Sequence, residues 1–213
     1  MTKVAKRKKA PAKLNFRRDL IFHAYDSFLT AQTRIFTLAN STYNYQSAEI
    51  RDKQTILLLD DLVQFSIAAR RLFDLTDLKD FSQGLEVPLA IFENYSEPKE
   101  IIRTGKTVGF RRIVNTIVHS KDIYFFHDRI EVACHFRKID MVALYGLIER
   151  ICRENRWAEY SLEPTIFVVS DVGAPLMVCL SDFISASTTA ADKIVSACAD
   201  AGFFLELEYR GGA

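Results

Sequence analysis

Apolar side chains return at helical spacing over two long stretches of the first third of this chain, and that limits what it can fold into. From about Phe16 to Asn40 they are Ile21, Tyr25, Phe28, Leu29, Ile35, Phe36 and Ala39, with Asp19 in the first turns. From about Ala48 to Leu75 they are Ile56, Leu59, Val63, Ile67, Phe73 and their neighbours. Recurrence of this kind marks amphipathic helices, each with a stripe that must be covered. Polar, turn-like residues from Asn40 to Gln46 separate the two. His23 falls near the start of the first helix and reads as a surface or half-buried histidine rather than a catalytic one.

The length of 213 residues suits one domain with an appendage, or two small ones, and 49% apolar with 26% charged residues is a globular composition. No apolar run approaches the ~18–20 residues of a membrane span. No apolar core follows the N-terminal charges, so no secretory signal is expected. The cysteines at 134, 152, 179 and 198 are widely spaced and read as reduced, mostly buried thiols of a cytoplasmic protein. Cys134 with His127 and His135 matches no zinc spacing, so neither a metal nor any other cofactor is expected.

The net charge of +1 hides an asymmetry. Eight of the 28 basic residues (Lys3, Lys6, Arg7, Lys8, Lys9, Lys13, Arg17, Arg18) lie in residues 1–18, which hold no acid. The remainder carries all 27 acidic residues and a net charge of −7. Residues 1–15 read as a disordered basic tail. It is an arm for a polyanion such as RNA, centred on Lys6, Arg7, Lys8 and Lys9, or a tail that only aids solubility. The same four residues would serve as a nuclear address if the host has a nucleus.

Thr76 to Lys106 holds Gly84, Pro88, Pro98 and Gly105, and reads as loops and short helical pieces, with Leu89, Ile91, Phe92 and Tyr95 covering one end of a bundle. A third long helix is predicted from about Thr107 to His119. Ile123–Phe126 and Ile130–Phe136 flank His127-Asp128-Arg129 as a β-hairpin. A fourth helix follows from about Lys138 to Arg156, with Met141, Val142, Leu144, Tyr145, Ile148, Ile151 and Cys152 as its stripe. Residues 157–213 have a net charge of −6. They read as a small ββαβ unit: strands 165–169 and 176–180, a helix from Ser187 to Ala201 with Gly202 at its C′ position, and a closing strand 203–209. Its acidity makes it a candidate surface for a protein partner.

The third helix carries the chemistry. At 100° per residue, Phe110, Ile113, Val114 and Ile117 share one face. Arg111, Asn115 and His119 stand at i, i+4 and i+8 on a second face, beside Arg112. A solvated helix face commonly mixes Lys with Glu at that spacing. This one has two guanidiniums, an amide and an imidazole, and no carboxylate. Guanidiniums offer planar forks that match phosphate oxygens, and an imidazole exchanges its proton near neutral pH.

Four helices with Arg-x3-Asn-x3-His near the end of the third resemble the HEPN superfamily, and most closely a group of bacterial and mobile-element proteins. The residues that carry the likeness are Phe110-Arg111, Asn115, Ile117-Val118-His119 and Ser120, followed by the hairpin and the helix opening at Ile139-Asp140. It spans roughly residues 16–156. The resemblance implies an α+β fold, predominantly α: a HEPN-like four-helix bundle with a β-hairpin between helices three and four, here extended by the C-terminal ββαβ unit. It also implies a metal-independent endoribonuclease, acting as a homodimer in defence, toxin or stress response. His119 would move the proton of a ribose 2′-OH or of the leaving oxygen. Arg111 and Arg112 would bind the scissile phosphate, and Asn115 would orient the phosphate or the ring.

Two other readings stand beside this one. In the first the stripe is structural: His119 favours a helix C-terminus, Asn115 bonds the hairpin backbone, and Arg111 pairs with a body carboxylate. In the second the protein is a non-catalytic interaction or nucleic-acid-binding module whose C-terminal unit contacts a protein partner.

Overall fold

The computed structural model describes residues 17–40, 48–92, 101–127, 129–134, 164–170 and 175–205. They form a mixed α+β structure, mostly helical, with small antiparallel sheets. The N-terminal basic tail and the predicted fourth helix lie outside the described residues.

Helix α1 (Arg18–Asn40) and helix α2 (Ala48–Leu75) match the predicted spans closely. On α1 the buried stripe is Ile21, Ala24, Phe28, Ala31 and Ile35, while Phe36 is 54% exposed. On α2 the buried residues are Leu58, Leu59, Leu62, Phe65, Ala68, Ala69, Leu72 and Phe73, whereas Ile56 and Ile67 face outward. The sequence stripe is thus met at Leu59, Phe73 and, in part, Val63, and not at Ile56 and Ile67. Helix α2 is covered by α1 on one side and by later elements on another, so its buried surface is broader than one stripe. The helices run antiparallel, with Phe28 against Phe65 at 4.6 Å and Arg34 3.5 Å from Asp61. Helix α2 ends in a Schellman turn: Leu78 N–H reaches back to the Phe73 carbonyl, and Asp77 takes the left-handed φ of 57°.

The segment expected to be loops folds instead into helix α3 (Lys79–Gly84) and a hairpin of strands β1 (Glu86–Phe92) and β2 (Ile101–Gly109). Pro88 had argued against a strand. Its two-stranded sheet offers it an edge place, and the register shifts between Pro88 and Ala90. Val87, Ala90 and Val108 bury into the core. Pairing of Thr107, Val108 and Gly109 with β1 takes those residues from the predicted third helix, so that helix, α4, begins at Phe110 and ends at Val118.

The predicted hairpin is present as strands β3 (Ser120–His127) and β4 (Arg129–Cys134). Strands β5 (Thr165–Ser170) and β6 (Leu176–Cys179) complete an antiparallel sheet of order β4-β3-β5-β6. Thus β3, from the segment resembling HEPN, pairs directly with β5, from residues 157–213. All four residues of β6 are buried, which accounts for its unbroken apolar run.

Helix α5 (Leu180–Asp200) starts seven residues before the predicted Ser187. Leu180 and Phe183 continue its buried stripe backward, and Asp182 suits the positive end of the dipole. Its C-terminus is as expected: Gly202 takes φ 77°, donating to the Ala199 carbonyl, while Phe203 N–H reaches the Cys198 carbonyl. The closing strand is not seen over Phe203–Leu205. Phe203 instead packs edge-on to Phe22 at 5.4 Å, under Arg18, and residues 206–209 lie outside the described residues.

Phe65 of α2, Phe110 of α4 and Phe183 of α5 meet with ring centroids 5.3 to 6.3 Å apart. All three are fully buried, so the C-terminal helix shares one core with the helical body. Burying each such ring is worth roughly 1.5–3 kcal/mol. Cys179 and Cys198 are free, buried thiols, and burial pushes the Cys198 thiol up to about 11. Among the described residues no helix is long and apolar enough to cross a membrane, and no three potential metal ligands cluster. The side chains of His127 and Cys134, and all of His135, lie outside the described residues.

Candidate functional site

Helix α4 is held at both ends without loops. At its start, Phe110 N–H donates to the Leu85 carbonyl at 2.7 Å. Gly109 lies so close to α3 that a Cβ there would sit 2.4 Å from the Gln83 carbonyl oxygen. At its end His119 alone separates the helix from β3. Ser120 Oγ donates back to the Ile117 carbonyl at 2.7 Å, and Ser170 Oγ, at the end of β5, donates to the His119 carbonyl at 3.3 Å. Phe110, Ile113, Val114 and Ile117 are buried, as the helical reading required. The opposite face is therefore turned outward, over a cleft.

That cleft has a volume of about 420 Å³ and is lined by Gln83, Arg111, Arg112, Asn115, Thr116, His119 and Ser170. All four residues singled out from the sequence thus reach one cleft. His119 and Arg112 are exposed, and Arg111 and Asn115 are half-buried. Ser170 and Gln83 were not anticipated. One comes from the C-terminal unit and the other from a segment read as loop, and neither carried a local signal.

The four side chains differ in freedom. Arg111 is anchored: its Nη2 donates to Asp74 Oδ1 on α2 at 2.8 Å, and Lys79 Nζ lies 3.5 Å from the same oxygen. Burial pushes the Asp74 carboxyl up, but Arg111 and Lys79 outweigh it and hold the group below its ordinary value. The structural pairing considered for Arg111 is therefore present. Yet Arg111 Nη1 is buried without a hydrogen-bond partner among the described residues, and so is Asn115 Oδ1. Arg112 has no carboxylate partner among the described residues, so it is the freer guanidinium on the cleft wall. Thr116 Oγ1 donates to the Arg112 carbonyl at 2.7 Å, which leaves its oxygen able to accept.

His119 has a partner that the sequence reading missed. Arg70 Nη1 lies 3.1 Å from His119 Nε2. The pair brings α2 and α4 together 49 residues apart in sequence, a separation that no local pattern reveals. Arg70 touches the imidazole, and Arg111 and Arg112 line the same cleft as His119, so positive charge is concentrated here on a body whose overall charge is negative. Chemically the cleft offers guanidinium donors for an oxyanion, an amide, and a solvent-accessible imidazole. No family model, no curated protein and no solved structure matches this chain.

Proposed function

We propose that the chain is a metal-independent endoribonuclease of HEPN type, working as a homodimer whose clefts contain His119. The observation that carries this reading is the cleft on which α4 places Arg111, Arg112, Asn115 and His119 together, two guanidiniums, an amide and an imidazole. A ribose beside its 3′-phosphate suits such a lining: a phosphate oxygen accepts from a guanidinium, and the 2′-OH bonds an amide or an imidazole.

The role of each side chain follows. Arg112 binds the phosphate and stabilises the charge that develops on it, with Arg111 beside it on the cleft wall. Donors aimed at such an oxyanion are worth about 3–4 kcal/mol in a barrier. His119 moves the proton of the 2′-OH or of the leaving oxygen. One imidazole per chain is thin for a reaction that needs both an acid and a base, and a two-fold axis bringing a second His119 to the cleft supplies the other. Defence, toxin or stress response is the setting in which such an enzyme fits. The test is cleavage of single-stranded RNA by the purified full chain in EDTA, with His119→Asn inactive at unchanged stability. Equal cleavage by the variant, or a requirement for metal, defeats the proposal.

The anchoring of Arg111 by Asp74 favours a second reading, a non-catalytic HEPN-fold module that binds nucleic acid or, through residues 157–213, a protein. In that case RNA is retained but not cut, and binding through Lys6, Arg7, Lys8 and Lys9 falls steeply with salt.

A further inference from the structure

Arg70 of α2 lies against His119, and the chemistry of the two groups restricts their contact. A guanidinium has only donors. At 3.1 Å, Nη1 of Arg70 must therefore donate, and Nε2 of His119 must accept. The ring proton then sits on Nδ1, and the lone pair of Nε2 is engaged. In this arrangement neither ring nitrogen is available to take a proton from a hydroxyl.

Arg70 is not fixed in that position by charge. It has no carboxylate partner among the described residues, whereas Arg111 is held by Asp74. A neutral imidazole is a modest partner for a guanidinium. A phosphate oxygen carries full charge, and charge-assisted hydrogen bonds are roughly twice as strong as neutral ones. His119 lines the cleft with Arg112. An anion placed there is within the sweep of a long, half-buried arginine side chain whose tip already touches the ring.

We infer that Arg70 is a positioning residue and the second mobile cation of this site. It sets the tautomer of His119 by donating to Nε2, then passes to the phosphate of an incoming phosphodiester and frees Nε2 for proton transfer. The inference rests on the ribonuclease reading of the same cleft and adds a substrate-driven release of its imidazole. It also explains why the two helices meet at this point through an arginine and a histidine, where a carboxylate would have given a tighter pair.

The test is the imidazole ¹⁵N spectrum of the full chain, with His119 assigned through the His119→Asn variant, recorded with and without inorganic phosphate at matched ionic strength. The expected spectrum shows a protonated Nδ1 and an accepting Nε2, and phosphate moves the His119 signals. In Arg70→Gln the ring loses its fixed tautomer and the phosphate response is lost. In Arg70→Lys, which keeps a cationic donor, both are partly restored. An Arg70→Gln protein with an unchanged ring tautomer and an unchanged phosphate response overturns the inference, as does a wild-type protein that phosphate does not move. RNA cleavage measured on the same samples separates the two ideas. Cleavage by wild type together with an Arg70-independent response removes Arg70 from the mechanism and leaves the ribonuclease. No cleavage by wild type, with a response that needs Arg70, leaves the anion switch and removes the ribonuclease.

Discussion

The two terminal nitrogens of Arg111 differ: Nη2 is bonded to Asp74 at 2.8 Å, while Nη1 is buried with no hydrogen-bond partner among the described residues. Arg112, its neighbour in sequence, has neither constraint. The two arginines, equivalent in the sequence pattern, are therefore expected to separate by experiment. Arg111→Gln should lower stability by about 1 kcal/mol in urea denaturation, because Asp74, itself 41% exposed, loses its main counter-charge. Arg112→Gln should change stability by less than about 0.5 kcal/mol while reducing RNA cleavage. Equal stability losses would show that Arg111 is not the anchor.

The Asp74 carboxyl gives a pH signature. Its folded-state value lies below that of the unfolded chain, because Arg111 and Lys79 outweigh the effect of burial. Its contribution is then fully present above the unfolded value of ~3.9 and fades as pH falls through the lower folded value. The side chain is 41% exposed, so solvent screening limits the contribution to at most about 1 kcal/mol. Asp74→Asn should be less stable than wild type at neutral pH, and the difference should close as the solution is acidified below about pH 4. A gap that widens on acidification would have the wrong sign.

Gly109→Ala places a methyl group 2.4 Å from a backbone carbonyl that cannot rotate away. The junction of α3, β2 and α4 must shift, at a cost of about 1–3 kcal/mol. Calorimetric unfolding reads this directly, and an unchanged Tm would mean that the contact relaxes freely.

The two helix ends with left-handed residues should respond in opposite directions. Gly202→Ala forces a Cβ into φ 77° and should cost about 1 kcal/mol. Asp77→Gly relieves φ 57° and should be neutral or stabilising by a few tenths of a kcal/mol. Chemical denaturation of both variants checks the pair.

Removing residues 157–213 should leave no folded helical body. The deletion strips β5 from β3 and takes Phe183 from between Phe65 and Phe110. Losing Phe183 alone, as Phe183→Ala, should cost about 3–5 kcal/mol. A truncated chain with a sharp, cooperative unfolding transition would contradict this.

Where sequence and structure agree, the signal is local. Helices α1 and α2, the buried face of α4 and the Schellman turn at Gly202 each follow from periodicity or from a residue with special backbone freedom. The gathering of Arg111, Arg112, Asn115 and His119 at one cleft also follows from spacing on a single helix. The misses are of another kind. The β1–β2 hairpin hid behind Pro88, which only an edge place excuses. The outward turn of Ile56 and Ile67 depends on which elements arrive to cover α2. Arg70, Asp74 and Ser170 reach the site from distant segments, through contacts that no window of residues contains.

From Ile101 to His127 the polypeptide passes from sheet to helix to sheet with one residue, His119, as its only joint. Functional side chains are disproportionately carried on loops, which can lengthen or drift. Here there is no slack to absorb such change: one inserted residue on either side of the imidazole would turn the ring from the cleft or throw a strand out of register. The position of this side chain is inherited from the framework itself, and any change in what the cleft accepts would have to occur on the surrounding walls.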